Sequence, residues 1–225
     1  MKKSLADLAS AFNKSKDDGN NQQWKLFFPF WKAPVDTTSI VRFLPDEDDT
    51  NMLAFLVENT THELFINGKK EKVPCLKMYG KSCPVCAHAN KLFEEHNDSD
   101  GKHYYRKRAY IGQVLVVETP IEHDKSQPIK LIEFGPAIYK VIQAAFGSGD
   151  FEEVPYAVEG GYNFRIKKSQ NGDYPSYSTS SFSPKQTSVD ARLAMELKPY
   201  NLKDFRQPEV SAAALEVMLL ADISG

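Results

Sequence analysis

Apolar and polar positions along this chain follow two rhythms. From Trp24 onward the period is mostly two: short runs rich in Val, Ile and aromatic residues, bounded by turn-forming residues, predict strands. They fall at Ser39–Leu44, ending at Pro45, at Asn51–Asn59, at Tyr110–Thr119, closed by Pro120, at Ile129–Phe134 and at Tyr162–Lys168. Helical spacing is rarer. Pro84–His96 opens with Pro in a first-turn position, and Pro136–Phe146 puts Ile138, Val141, Ile142 and Ala145 on one face with Gly147 placed to end it. Val189–Leu197 and Pro208–Ala221 add two helices in the tail. Ahead of all these, Ser4 is placed to cap a short helix with Leu5, Leu8, Ala9 and Phe12 on one face, and the polar run 15–23 reads as a linker. So short a helix is marginal alone, so its stripe should dock, on the chain's own core or on a neighbouring copy. Many short strands with few helices predict a mainly β (α+β) fold, a small barrel with insertions.

Composition narrows the class. The 225 residues suit one domain of ordinary size with arms, or at most two small ones. An apolar share of 41%, with 14 Phe and 10 Tyr, supplies a core and excludes a disordered chain. The longest apolar stretches, 111–117 (broken by Gly112 and Gln113) and 217–221, are too short to span a bilayer. No signal-type run opens the sequence, so a soluble intracellular protein without membrane partners is expected. A net charge of −2 gives a nucleic-acid partner no support in bulk; phosphate affinity depends on where cations cluster. Three cysteines argue against a disulfide framework and leave metal binding or buried thiols.

Cys83-Pro84-Val85-Cys86 is a C-x-x-C pair whose thiolates can point at one ion. Cys75 and His62 precede it, giving one nitrogen and three sulfur ligands, a set that suits one tetrahedral Zn2+. A redox role is disfavoured because the βαβ context of such sites is absent. His88 is the rival nitrogen ligand; two positions after Cys86 in a helix it points off the face the cysteines share, whereas His62 can enter from a strand. His96, His103 and His123 read as surface histidines. Four protein ligands leave no open position, so the ion would organise the fold and activate no water.

Beside this motif, Lys102 to Tyr110 holds Lys102, Arg106, Lys107 and Arg108 among Tyr104, Tyr105 and Tyr110, with no acid. Cations for phosphates and flat rings for unstacked bases are what a single-strand binder needs. On a strand Arg106, Arg108 and Tyr110 share one face and Lys107 takes the other. A second cluster places Arg165, Lys167, Lys168 and Lys185 against one acid, Asp173, around Tyr174, Tyr177 and Phe182. Together the clusters predict a groove for single-stranded nucleic acid. The alternatives are a zinc-organised protein-interaction scaffold whose basic loops keep it soluble, and a nuclease. No Walker loop, H-E-x-x-H or G-x-S-x-G stands in the chain, so no enzyme is expected; Asp46–Asp49 reads as a turn.

From Trp24 to about Phe182 the residues resemble the single-stranded DNA-binding (helix-destabilising) protein family of T-even-like phages. The resemblance rests on Ile40-Val-Arg-Phe-Leu-Pro45, on His62 and Cys75 with Ser82-Cys-Pro-Val-Cys86, on Arg106-Lys107 and Tyr110 before Val114–Val117, on Phe134-Gly135, and on Glu159-Gly160 with Asn163-Phe164. It implies an OB-fold core (21–200) with an inserted zinc subdomain near residues 60–100, a C-terminal helical segment (201–225), and an arm (1–20) for self-association. It favours His62 over His88. It also implies cleft roles for Arg106, Lys107, Tyr110, Tyr174 and Tyr177, and a looser one for Tyr79. Lys2-Lys3-Ser4 resembles a shortened form of the basic segment through which such proteins bind cooperatively. The function implied is sequence-independent coating of single-stranded DNA in phage replication, recombination and repair, in the cytoplasm of the infected host. The partners would be other copies along the strand and replication proteins. Two positions depart from the pattern, Ile111 and Ile132 standing where aromatic residues are expected, and residues 221–225 carry no acidic tail.

Overall fold

The computed structural model describes residues 24–225; the expected arm, with Lys2, Lys3 and Ser4, lies outside the described residues. The strands are β1 (Thr37–Leu44), β2 (Leu56–Ile66), β3 (Lys69–Pro74), β4 (Lys107–Glu118), β5 (Ile129–Phe134), β6 (Gly161–Asn171), β7 (Tyr174–Ser176) and β8 (Ser181–Thr187). The helices are α1 (Pro84–Glu94), α2 (Asp98–Tyr104), α3 (Pro136–Ser148), α4 (Ala191–Glu196) and α5 (Ala212–Ser224). The chain is mainly β, as its period-two runs require. None of the described helices is long and apolar enough to cross a membrane.

The residues divide into two compact units. The first takes the described residues as far as Pro45, with Gly112–Glu133 and Val141–Pro199. Here β1 lies between β4 and β6, antiparallel to both, with Phe43 opposite Val114 and Val41 opposite Phe164. β5 pairs with β4, and β7 and β8 pair with β6. Side chains alternate across a strand, so Val41, Phe43, Phe164 and Ile166 turn into one core. Phe43 meets Phe164 at 5.6 Å, and Phe182 joins Phe164 and Phe151 at 4.9 and 5.2 Å.

Arg42 lies on the opposite face of β1, yet is only 2% exposed. Its Nε donates to Asn163 Oδ1 at 3.1 Å, and its terminal nitrogens to the carbonyls of Ala157, Gly161 and Thr187 at 3.1, 3.2 and 3.0 Å and to the Thr187 hydroxyl. These acceptors are all neutral. A guanidinium buried this way ties β1 to the 155–163 segment and the end of β8 through donors that carbonyls satisfy one by one. Gly161 permits the approach: a Cβ there would lie 2.3 Å from Ala157 O and 2.9 Å from the Arg42 guanidinium.

The second unit takes Asp46–Ile111, Phe134–Lys140 and Tyr200–Gly225. β2 lies between β3 and β4, and β3 ends the strand order, pairing with β2 from Thr61 opposite Pro74 to Ile66 opposite Lys69. Leu215 and Leu219 of α5 pack with Leu64, Val73, Leu76 and Val85. Asp46 organises the entry to β2. Its Oδ1 accepts from Leu202 N at 3.0 Å and its Oδ2 from Asn51 Nδ2 at 2.7 Å, so the acidic run is indeed a turn.

The strand expected over Asn51–Asn59 begins at Leu56 instead. Asn51 Nδ2 also donates to Leu56 O, Asn51 Oδ1 accepts from Leu53 N, and Ala54 has φ +56°. These side-chain bonds compete with a ladder and close a turn. The basic run expected to lead straight into a strand is helical at its start. Asn97 caps α2 by accepting from Asp100 N, acids occupy its first turn, and Gly101 lies where any Cβ would strike the Phe93 ring at 2.7 Å. α5 starts four residues after Pro208 because Ser211 is its cap, accepting from Ala214 N at 3.1 Å.

Arg42→Met should leave the three carbonyls and Asn163 without their donors while keeping the volume. We expect unfolding free energy to fall by about 3 kcal/mol, read as a lower urea midpoint at unchanged slope.

Candidate metal centre and nucleic-acid interface

Four elements of the second unit bring His62, Cys75, Cys83 and Cys86 together. His62 stands on β2; Cys75 follows β3, its N–H donating to Thr60 O at 2.9 Å. A 3-10 turn over Leu76–Tyr79 ends at Gly80, whose φ of +71° turns the chain back toward the site. Cys83 stands at the N-cap position of α1, its side chain making no capping bond, Pro84 occupies the first turn, and Cys86 follows one turn on.

The four side chains are buried, and their donor atoms all lie within 4.8 Å of one another. Cys75 Sγ is 3.5 Å from Cys86 Sγ, and His62 Nε2 is 3.4 and 3.6 Å from the sulfurs of Cys83 and Cys86. A tetrahedral zinc site has S···S edges of about 3.8 Å and S···N edges of about 3.6 Å, so the cluster has the size of a metal site. His62 Nδ1 lies 2.8 Å from the Tyr104 carbonyl, and donating there it turns Nε2 to the sulfurs. His88 stands apart, its ring edge-on to Tyr104 at 4.7 Å.

The charges point the same way. Hydrogen bonds with Cys75 and Cys86 hold the Cys83 thiol well below the ordinary range, while hydrogen bonds with Cys75 and Cys83 push Cys86 up. For His62, burial works against the charged ring, but hydrogen bonds with Cys75, Cys83 and the Tyr104 carbonyl raise it to about 9. Three buried sulfurs cannot all ionise beside one another without cations; protons supply that charge in the bare cluster, and a divalent ion would displace them.

The expected DNA-contacting residues fall into two surfaces, one in each unit. In the second unit, Tyr105 is 49% exposed and Arg106 lines a small pocket of about 70 Å³ with Lys77, Asn90, Tyr105 and Cys86. Lys107 is bound to Glu63, which also holds Lys70 at 2.6 Å, and Arg108 lies 3.7 Å from Glu58. Tyr104 packs beside the cysteine cluster, its phenol pushed up to about 12 by burial and by Asp222. The Tyr79 hydroxyl donates to Gln207 O, with the Arg206 guanidinium 5.2 Å over its ring. Tyr110 is only 5% exposed, and Tyr139 lies parallel on its ring at 3.8 Å and 2°.

In the first unit, Arg165 and Lys167 turn outward from β6 while Phe164 and Ile166 turn in. Their cross-strand partners on β1 are Ile40 and Thr38. Tyr174 stands 77% exposed beside Asn171 at the β6–β7 turn. Tyr177 packs edge-on against Phe30 at 5.4 Å, and Phe182 sits in the phenylalanine cluster. Ile111 and Ile132, where the resemblance leads one to expect rings, are core residues at 1% and 0% exposure. Tyr139 was not foreseen. The available signal was an aromatic residue beside, not within, the apolar stripe of its helix.

A family model described as gp32 DNA binding protein like matches residues 35–218, well over half of the chain and inclusive of all four cluster residues. No curated protein matches the chain.

One equivalent of divalent metal per chain is expected by elemental analysis, lost in Cys83→Ser and in His62→Ala and kept in His88→Ala. Acid should release it as protons return to the thiolates, and a chelator should lower the melting temperature, since structural ions of this kind contribute about 10–16 kcal/mol to folding.

Proposed function

We propose that this chain, which belongs to the gp32 DNA binding protein like family, binds single-stranded DNA without regard to sequence. The observation that carries the reading is the family match over 35–218, joined to cations and rings at the surface of each unit: half-buried Arg106 beside exposed Tyr105 on one, exposed Arg165, Lys167 and Tyr174 on the other. Phosphate contacts and ring stacking read no base, so the affinity would be indifferent to sequence. A protein that holds single strands and not duplex draws DNA toward the open state by mass action. The metal is zinc, held by His62, Cys75, Cys83 and Cys86 as a structural ion. The protein acts by occupancy, without catalysis. We further infer that it coats strands cooperatively through the arm carrying Lys2, Lys3 and Ser4, in phage replication, recombination and repair inside an infected bacterium, alongside replication proteins.

Titration with an oligo-dT strand, followed by intrinsic fluorescence, tests the reading. Quenching that weakens steeply with salt is expected; absence of binding at low salt by zinc-loaded protein would overturn it. Arg106→Gln should weaken binding and lower the salt slope by about 0.7. Glu63→Gln, which frees Lys107 and Lys70 from their carboxylate, should tighten binding a few-fold and steepen that slope.

A further inference from the structure

In the second unit three rings lie in sequence. Phe134 is 6.3 Å from Tyr110 at 25°, and Tyr110 is 3.8 Å from Tyr139 at 2°. Tyr110 is closed in, with Tyr139 against its ring and 5% exposure. Tyr139 is half-buried, and its one ring contact among the described residues is with Tyr110. Of the two parallel tyrosines, Tyr110 is buried and Tyr139 keeps part of its surface exposed.

The local sequence fixes this arrangement. Phe134 ends β5, Gly135 and Pro136 turn the chain into α3, and Tyr139 N donates to Gly135 O at 3.4 Å. Tyr139 thus stands in the first turn of α3, next to the buried Ile138. Tyr110 is held on β4, where alternation puts Arg108 on its face, and Arg108 lowers the phenol that burial and Glu58 raise. A flat ring backed on one face by a second ring, with a cation on the strand that holds that second ring, is an arrangement a nucleotide of a single strand could use: base on ring, phosphate toward cation.

We propose that Tyr139 is the base-stacking ring of the second unit, and that Tyr110 is a positioning residue which holds Tyr139 parallel to the incoming base. This rests on the single-strand reading of the same surface. A base adds itself as the next ring of an existing stack. Tyr110 itself touches no base while Tyr139 covers it.

Two oligonucleotides separate stacking from folding: oligo-dT, and a strand of the same length and charge whose sugars lack bases. Wild-type zinc-loaded protein should bind oligo-dT more tightly than the abasic strand. In Tyr139→Leu the oligo-dT affinity should fall roughly 5- to 150-fold, the equivalent of one stacked base, with abasic affinity unchanged. Tyr139→Phe should retain the preference. Tyr110→Leu should lower it, and Tyr110→Phe should keep it. Photo-crosslinking of a 5-iodouracil strand to the wild-type protein should map to Tyr139, which keeps the test independent of any variant's folding. Failure of the wild type to bind oligo-dT would sink the single-strand reading. Normal wild-type binding, with the base preference intact in Tyr139→Leu or with the crosslink on Tyr110, would overturn the assignment of Tyr139 alone.

Discussion

Three sulfurs and an imidazole within 4.8 Å of one another, buried in the core, set the conditions under which the second unit can fold. Side chains of this kind do not converge for apolar packing, because each thiolate raises the cost of the next. Yet Cys75, Cys83 and Cys86 pack beside Leu64, Leu76, Val85, Leu215 and Leu219, so the hydrophobic core and the charge cluster are one object. The strand, the turn at Gly80, the start of α1 and the seating of α5 all depend on how that charge is neutralised. Tyr104 is drawn in as well, since its carbonyl fixes the His62 ring while its own ring packs on the cluster. The basic run after it therefore begins from a rigid origin.

The cationic surface that follows is less open than its sequence suggests. Glu63 holds Lys70 and Lys107, and Glu58 lies beside Arg108. Exposed ion pairs of this sort add little to stability. What they do is place carboxylates within the surface itself, so any polyanion docking there would have to displace them as well as solution ions. That is how a chain with a net charge of −2 can present cations in order while remaining moderate in its field. Arg42 shows the other treatment of a cation, buried among carbonyls to tie a strand to a loop and unavailable to any ligand.

Much of this was legible in the sequence, and the failures have physical causes. β5 was read to the residue because Pro128 and Gly135 bracket it, and the convergence of His62, Cys75, Cys83 and Cys86 because sulfur and imidazole at that spacing have few other uses. β3, β7 and β8 escaped because Lys-Lys-Glu-Lys, Tyr-Pro-Ser and Ser-Phe-Ser-Pro carry hardly any apolar alternation; they are strands by pairing. α2 escaped because its stability lies in the Asn97 cap and the fit of Gly101 on Phe93. Alternation put Arg106, Arg108 and Tyr110 on one strand face, but β4 starts at Lys107 and leaves Arg106 outside it, and alternation could not see Tyr139, which reaches Tyr110 from a helix 29 residues further on.

The strand order begins with β3 and ends with β7, and each terminal strand is poorly suited to accept a foreign chain. β3 offers Lys69, Lys70, Glu71 and Lys72 before Pro74, and β7 is three residues long with Pro175 at its centre. Lysine charge, brevity and proline are the means by which sheet rims refuse to template further backbone pairing. Copies of this chain that meet rim to rim are therefore discouraged from pairing backbone to backbone.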